Sequence, residues 1–312
     1  MLGVLFALIS TASFSLNSVM VRRGVASASA SAGAFVTVLI GVPMFAVAAL
    51  VSGQLFRAAE MPGMGYILLS AAGIMHFGIG RYCNYRAVSA IGATRVAPIQ
   101  SFAIPYAVFI AFVFLGETIN WGMAVGIGLI LVGPAIMIER ASTPAPKPRG
   151  TSSGGPDTKP AFELRQAEGY LFALLSVGAY GTSPPLIREA LRDLENMTIY
   201  GGLVAYFAAA TALILTLVIP ARRDLITAMR FSTVRLFFGA GFFVFLAQMF
   251  RFAALGIAPV AIVTPLQRSG AIFTLGLSWA VNRKLEKITW RVVLGIFIST
   301  GGAVLLILAR FG

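Results

Sequence analysis

Ten apolar stretches of about 20 residues follow one another along this chain, and they constrain its fold more than any other feature. A helix that crosses a bilayer needs about 20 mainly apolar residues. We place the ten predicted spans at residues 2–21, 33–52, 64–87, 95–115, 121–139, 168–188, 198–219, 234–255, 259–281 and 289–309. The sequence therefore predicts an all-α integral membrane protein with ten transmembrane helices.

The composition supports a membrane protein and excludes several other classes. Hydrophobic residues make up 58% of the chain and charged residues 11%, whereas a soluble domain carries about 25% charged residues. The net charge of +13 comes mostly from Lys and Arg between the apolar stretches. Basic residues in such loops orient a protein in the bilayer, so they do not indicate nucleic-acid binding. The single cysteine, Cys83, excludes an internal disulfide.

Residues 141–167 separate the fifth predicted helix from the sixth. This stretch is rich in Pro, Gly, Ser and basic residues, a composition that cannot bury a core and is typical of a mobile linker. The chain thus divides into a five-helix unit at residues 1–140, the linker at 141–167 and a second five-helix unit at 168–312.

The two units repeat each other in sequence. Ser10 corresponds to Ser176 at an offset of 166, and Gln100 to Gln267 at an offset of 167. At an offset of 169 the matched pairs are Glu117 with Glu286, Gly126 with Gly295 and Gly133 with Gly302. Because five helices cross the membrane an odd number of times, the second unit is predicted to be inverted relative to the first. Inverted repeats around a central cavity are typical of secondary transporters, which bind substrate near the midplane.

The distribution of Lys and Arg predicts the orientation. The loops after the odd-numbered spans contain 16 of these residues and the opposite side contains four. Because cytoplasmic loops carry the excess, we predict a cytoplasmic linker, both termini outside, and a bacterial-type inner (plasma) membrane.

Intramembrane arginines mark the predicted site. Arg81, Arg251 and Arg268 lie within predicted spans, where a charge is costly unless it faces protein, water or an anion. Arg86 is close enough to a helix end for its side chain to reach the interface. Arg81 lies ahead of a predicted loop at residues 89–94, and Arg268 follows the helix-breaking Pro265.

Polar and aromatic residues surround these arginines in the repeat. Arg81-x-x-Asn84-Tyr85 aligns with Gln248-x-x-Arg251-Phe252, so the arginine and the amide exchange places between halves. Asn17 shares a face of the first helix with two serines. The predicted substrate-binding set is Asn17, Arg81, Tyr82, Asn84, Tyr85, Gln100, Gln248, Arg251, Phe252, Gln267 and Arg268. Helix packing explains the aromatic and small polar members equally well, and buried structural pairing is the alternative for the arginines.

Several kinds of chemistry lack a sequence signal. No predicted helix centre carries Asp or Glu, and no phosphate-binding loop or metal-ligand cluster occurs. We therefore predict no cofactor, no metal and no enzymatic activity. His76, the sole histidine, could titrate near neutrality, but its predicted role is that of a hydrogen-bonded structural residue. Glu117 is a candidate for closing a gate.

These features together resemble the EamA type of the drug/metabolite transporter superfamily. The resemblance rests on the five-plus-five organisation, the Pro-bearing fourth helix that ends in Leu115-Gly116-Glu117, and the glycine-rich fifth helix with Gly126 and Gly133. It implies a basket of helices around a central cavity and transport by alternating access. The second half departs from the pattern, since Asn282-Arg283-Lys284-Leu285-Glu286 stands where the Leu-Gly-Glu ending is expected.

The sequence therefore predicts a secondary transporter of a small polar metabolite, anionic or zwitterionic, within the lipid bilayer. Two alternatives stay open: an exporter of drugs, toxic compounds or amino acids, and a membrane scaffold or lipid-handling partner that transports nothing. The glycine-rich fifth and tenth helices indicate close helix packing, with a homodimer face as one interpretation.

Overall fold

The computed structural model describes residues 1–25, 30–91, 96, 99–137, 166–218, 231–268, 270, 273 and 290–311. These residues form eleven α-helices and no β-strand. In chain order the helices are α1 (Leu2–Val25), α2 (Ala30–Val51), α3 (Gly63–Gly73), α4 (Arg81–Ile91), α5 (Ala103–Leu115), α6 (Trp121–Met137), α7 (Gln166–Leu191), α8 (Thr198–Leu215), α9 (Phe231–Ile257), α10 (Val260–Arg268) and α11 (Trp290–Phe311). The all-helical prediction is confirmed, while the count of ten spans stays a prediction.

The third predicted span accounts for the extra helix. Here α3 continues through a π-helical segment, Ile74–Gly80, directly into α4. π-Helical turns inside α-helices occur frequently at functional sites. The helix also runs further than predicted, to Ile91, because Ala90 and Ile91 are buried against Ala173 of α7. The predicted loop at 89–94 therefore begins too early, and the predicted linker lies mostly outside the described residues.

Three helices in the described part of the chain have the length and apolar character of a membrane span: Gly63–Ala87, Thr198–Val218 and Phe237–Ile257. A fourth apolar helix, Phe35–Val51, bends by 87° into the 3₁₀ helix Gln54–Glu60. Shorter apolar helices lie at Leu2–Asn17, Ile99–Leu115, Trp121–Gly133 and Val293–Ala309. The pattern is that of an integral membrane protein whose helices are apolar outside and inside.

The main helix contacts join the first half of the chain to the second. Helix α1 packs along α9, α4 packs along α7, and α6 packs along α11. Helix α2 lies against both α8 and α9, and α5 lies against α7 and α10. The two halves therefore share one core and bring residues that are far apart in sequence into the same site.

Glycines allow α6 and α11 to approach closely. A methyl group added at Gly126 would lie 2.9 Å from the carbonyl oxygen of Gly302, and one added at Gly133 would lie 2.6 Å from that of Gly295. Small residues at such crossings let helix backbones meet in a membrane. These glycines pair two helices of one chain, so they provide no argument for a homodimer, which stays a prediction.

Gly126 and Gly128 are expected to respond oppositely to alanine. At Gly128 an added methyl group meets nothing within 4 Å, so Gly128→Ala should stabilise the helix, by up to about 1 kcal/mol. At Gly126 the methyl group would overlap backbone atoms of α11, and overpacking costs about 1–3 kcal/mol. Thermal unfolding of the two purified variants in detergent measures both effects. Equal melting temperatures would contradict the α6–α11 pairing.

Candidate functional site

The π-helical segment places His76 within a group of aromatic rings. The imidazole packs edge-on against Phe77 and against Tyr180 of α7, with ring centroids 4.8 and 4.9 Å apart. Its Nδ1 is buried and has no hydrogen-bond partner among the described residues. The hydrogen bond predicted for His76 is therefore absent at Nδ1 among the described residues.

Arg81 begins α4, one turn beyond His76. Its guanidinium carbon lies 5.3 Å from the centre of the Phe77 ring, a cation–π distance. Its Nη1 donates a long hydrogen bond, 3.5 Å, to the hydroxyl of Thr37 on α2. Arg81 is partly buried and Thr37 is buried, so this cation lies inside the helix bundle.

Arg251 on α9 is the most deeply buried cation in the described part of the chain, with 3% of its surface exposed. Its Nη1 donates to the amide oxygen of Gln248 at 3.3 Å. Its Nε is buried and has no partner among the described residues. A buried cation is costly without a counter-charge, and the neutral amide of Gln248 only partly satisfies this guanidinium.

Tyr206 of α8 lies near both arginines. It is fully buried, and its ring packs against Phe45 and Phe77 with centroids 4.8 and 4.5 Å apart. Arg81 and Arg251 both lie close enough to interact electrostatically with Tyr206 and His76. The Tyr206 hydroxyl is also buried without a partner in the described structure.

Three buried polar groups of this cluster thus lack a hydrogen-bond partner among the described residues: Nδ1 of His76, the Tyr206 hydroxyl and Nε of Arg251. Leaving such a group unsatisfied costs about 1–3 kcal/mol. All three atoms are donors or can be, and the cations Arg81 and Arg251 interact with this cluster. The chemistry that satisfies them best is an oxygen-bearing anion.

The predicted glutamines flank this cluster in a crossed arrangement. Gln100 donates from Nε2 to the hydroxyl of Ser176 on α7 and to Asn84 Oδ1 on α4, the latter at 3.3 Å. Gln267 on α10 donates from Nε2 to the hydroxyl of Ser10 on α1, at 3.2 Å. The glutamine of each half of the chain therefore donates a hydrogen bond to the first helix of the other half.

The other predicted site residues differ in burial and in contacts. Phe252 is buried and packs edge-on against Phe45, whereas Tyr82 is 43% exposed and packs against Phe172. Tyr85 is partly buried. Asn17 is partly buried, and its Oδ1 has no partner among the described residues. The backbone of Arg268 ends α10, but its side chain lies outside the described part of the structure.

Tyr206, Thr37 and Tyr180 join the cluster without having been predicted as site residues. Tyr180 shares a helical face with Ser176, a spacing that could have indicated it. Tyr206 and Thr37 have no local signal, because both lie in ordinary apolar helices.

Comparison with known proteins assigns the family. The EamA-like transporter family matches residues 1–138 and 167–308, which leaves out the predicted linker. The chain belongs to the EamA-like transporter family. The resemblance to the drug/metabolite transporter superfamily is thereby confirmed, and this integral membrane family points to a transporter rather than an enzyme.

This EamA-like chain is also similar to a curated relative and to a solved structure. A relative from Sinorhizobium sp, described as "Uncharacterized transporter in cobO 3'region", is 26% identical over 132 residues, or 42% of this chain and 93% of the relative. A solved structure described only as "Crystal structure of protein" superimposes with a TM-score of 0.69 at 14% identity, covering 98% of this chain and 97% of that one. At that identity the likeness concerns the fold alone.

Three polar side chains cap helix ends at one end of this EamA-like bundle. Both carboxylate oxygens of Glu117 accept backbone N–H groups of α10, from Val260 at 2.8 Å and Ala261 at 3.0 Å. Arg188 Nη1 donates to carbonyl oxygens at the end of α9, Leu255 at 3.1 Å and Gly256 at 2.7 Å. An anion at a helix N-terminus and a cation at a C-terminus each complement the helix dipole.

The third cap involves Gln54, whose Oε1 accepts the N–H groups of Ile199 and Tyr200, both at 3.0 Å. Like the other two caps, it lies between segments distant in sequence. Glu117 was predicted as a gate candidate. Arg188 and Gln54 were missed, because their partners are backbone groups that sequence spacing does not reveal.

Metal binding finds no support in the described part of the chain, where His, Cys, Asp and Glu do not cluster in groups of three or more.

Proposed function

We propose that this protein is a secondary transporter that moves a small anionic or zwitterionic metabolite across the inner membrane by alternating access. The observation that carries the proposal is Arg251, which is buried in the bundle against the amide of Gln248 and keeps an unsatisfied Nε. A cation retained at such a cost in a transporter fold marks a substrate pathway. Arg81, His76 and Tyr206 provide the neighbouring polar groups.

The proposal includes two inverted five-helix repeats around the central site. Two observations support this arrangement: Gln100 and Gln267 make crossed hydrogen bonds to Ser176 and Ser10, and the glycines of α6 and α11 pair crosswise. In both sets, when one residue contacts a second, its repeat equivalent contacts the equivalent of that second residue, as a two-fold axis in the membrane plane requires. The relative from Sinorhizobium sp also aligns over most of its own length with less than half of this chain.

Ligand-induced thermal stabilisation of the purified protein tests the substrate class. Anions such as succinate, phosphate and glutamate should raise the melting temperature. At a ligand concentration of 100 times the dissociation constant, binding adds about 2.7 kcal/mol to the free energy of unfolding. Counterflow in proteoliposomes then establishes transport, which the scaffold alternative does not predict. Stabilisation by cationic drugs alone would favour the drug-exporter alternative and overturn the anion assignment.

The proposed orientation gives a separate test. Because 16 Lys and Arg residues lie on the linker side and four on the other, a reporter fused after Gly150 should be cytoplasmic and one after Gly312 should lie outside. Paired reporters that are active only in the cytoplasm or only outside it measure both positions. A cytoplasmic C-terminal reporter would overturn the orientation and leave the anion site untouched.

A further inference from the structure

His76 is the one histidine of the chain, and it occupies an unusual position. It lies in the π-helical segment between α3 and α4, fixed by the rings of Phe77 and Tyr180. Imidazole is the side chain that most readily changes charge between pH 5 and 8. Its Nδ1 is buried with no hydrogen-bond partner among the described residues, so nothing in the described protein uses this atom.

Two cations dominate the electrostatic surroundings of this imidazole. Among the described residues, the charged and titratable side chains around it are Arg81 on α4, Tyr180 on α7, Tyr206 on α8 and Arg251 on α9. Like charges at short range repel one another. A third positive charge beside these two arginines is therefore unfavourable when no anion is present in the site.

An anion beside the arginines would reverse this balance. An opposite charge within about 4–6 Å favours the charged form of a titratable group by about one to three pH units. A proton from water would then bind to the free ring nitrogen, and the resulting N–H would donate to the anion. The Nδ1 atom would thus gain the partner that it lacks.

We propose that His76 takes up a proton when an anionic group binds beside Arg81 and Arg251, so that a proton is a co-substrate of this carrier. The inference rests on the proposed anion site and adds the coupling ion. It requires no acidic side chain in the membrane, the residue type that usually carries protons in such pathways.

Proton uptake on anion binding tests the inference. The purified protein, in weakly buffered detergent solution near pH 7, is titrated with sulfate or with succinate, and the pH change is recorded. Melting temperatures measured with the same two anions report binding independently. We expect net proton uptake when either anion binds. In His76→Gln we expect this uptake to be lost and the anion-induced stabilisation to be reduced but still present, because Arg81 and Arg251 remain.

Nitrogen NMR of labelled histidine gives a direct second measurement, because His76 is the only imidazole. This requires an affinity tag without histidine. We expect the pH midpoint of protonation to rise by about one to three units when sulfate or succinate is added. This readout uses the wild-type protein, so it decides the question even when His76→Gln fails to fold.

The outcomes separate the two proposals. Stabilisation by sulfate or succinate that disappears in Arg251→Gln, with no proton uptake and no change at His76, would overturn the coupling and leave the anion site standing. Proton uptake that persists in His76→Gln would assign the proton to another group. Absence of any Arg251-dependent stabilisation by either anion would overturn the proposed function itself.

Discussion

Replacing Arg251 with glutamine is expected to weaken the apparent affinity for an anionic substrate by about tenfold to a hundredfold. A hydrogen bond to a charged group contributes about 1.5–3 kcal/mol, and about 1.4 kcal/mol corresponds to a factor of ten in affinity. The substitution keeps an amide beside Gln248 but removes the charge. Arg251→Lys should restore only part of the affinity, because lysine lacks the planar fork of guanidinium donors. Initial rates in proteoliposomes over a range of substrate concentrations measure the change.

The stability of the same variant separates binding from structure. If Arg251 were paired with a carboxylate, removal of the cation would leave that partner unpaired and cost about 3–5 kcal/mol. Its described partner is instead the neutral amide of Gln248, so the ligand-free variant should be at least as stable as the wild type. Arg192→Gln is the matched control, because this exposed arginine pairs with surface carboxylates. Normal kinetics in Arg251→Gln would refute the anion site.

Arg81→Gln should weaken transport in the same direction, and less strongly. Its guanidinium already interacts with the Phe77 ring and the Thr37 hydroxyl, so less of it is available to a ligand. Arg268→Gln carries the same expectation from the sequence alone, since its side chain lies outside the described residues.

Truncating Glu117 to alanine is expected to destabilise the protein by about 1–3 kcal/mol. The carboxylate satisfies the first two N–H groups of α10 and also lies near Arg188, which caps the end of α9. The turn between these helices is therefore held by opposite charges at its two ends. Loss of the carboxylate should lower the melting temperature and loosen this end of the bundle. Glu117→Gln keeps one acceptor oxygen and should fall between the two proteins.

Glu60→Gln is the matched control for this cap. Glu60 lies at the same end of the bundle, and hydrogen bonds from Arg57 lower the pKa of its carboxyl group. That ion pair is open to solvent and caps no helix end, so its loss should change the melting temperature little. A melting temperature of Glu117→Ala equal to that of Glu60→Gln would show that the cap contributes nothing. Scanning calorimetry of the detergent-solubilised proteins makes the comparison.

Much of the architecture was predictable from the sequence, because the apolar length of a membrane helix is a local property. Predicted spans such as 121–139 and 198–219 lie within a few residues of α6 and of α8 with its 3₁₀ extension, Trp121–Met137 and Thr198–Val218. Repeat matches such as Gln100 with Gln267 also depend only on the order of residues. The local sequence pattern did not reveal the π-helical segment at Ile74–Gly80, because no sequence period distinguishes it from the α-helix around it.

The candidate site was predictable in part. Intramembrane charge drew attention to Arg81 and Arg251, since bilayer energetics makes such residues unusual wherever they occur. The residues that surround these arginines could not be predicted, because they come from helices of both halves that pack against each other. Tyr206 and Thr37 come from helices with no polar pattern, and the partner of Gly126 proved to be another helix of the same chain.

The sequence by itself determined that this chain is a helical membrane protein with arginines inside its apolar stretches. Only the tertiary structure decided which groups meet: Arg188 with Leu255 and Gly256, Gln267 with Ser10, and His76 with two cations. The physical reason is distance along the chain. Hydropathy and helical period act within about 20 residues, whereas these contacts join residues 67 to 257 positions apart or groups from several helices, and only the packing of both halves brings them together.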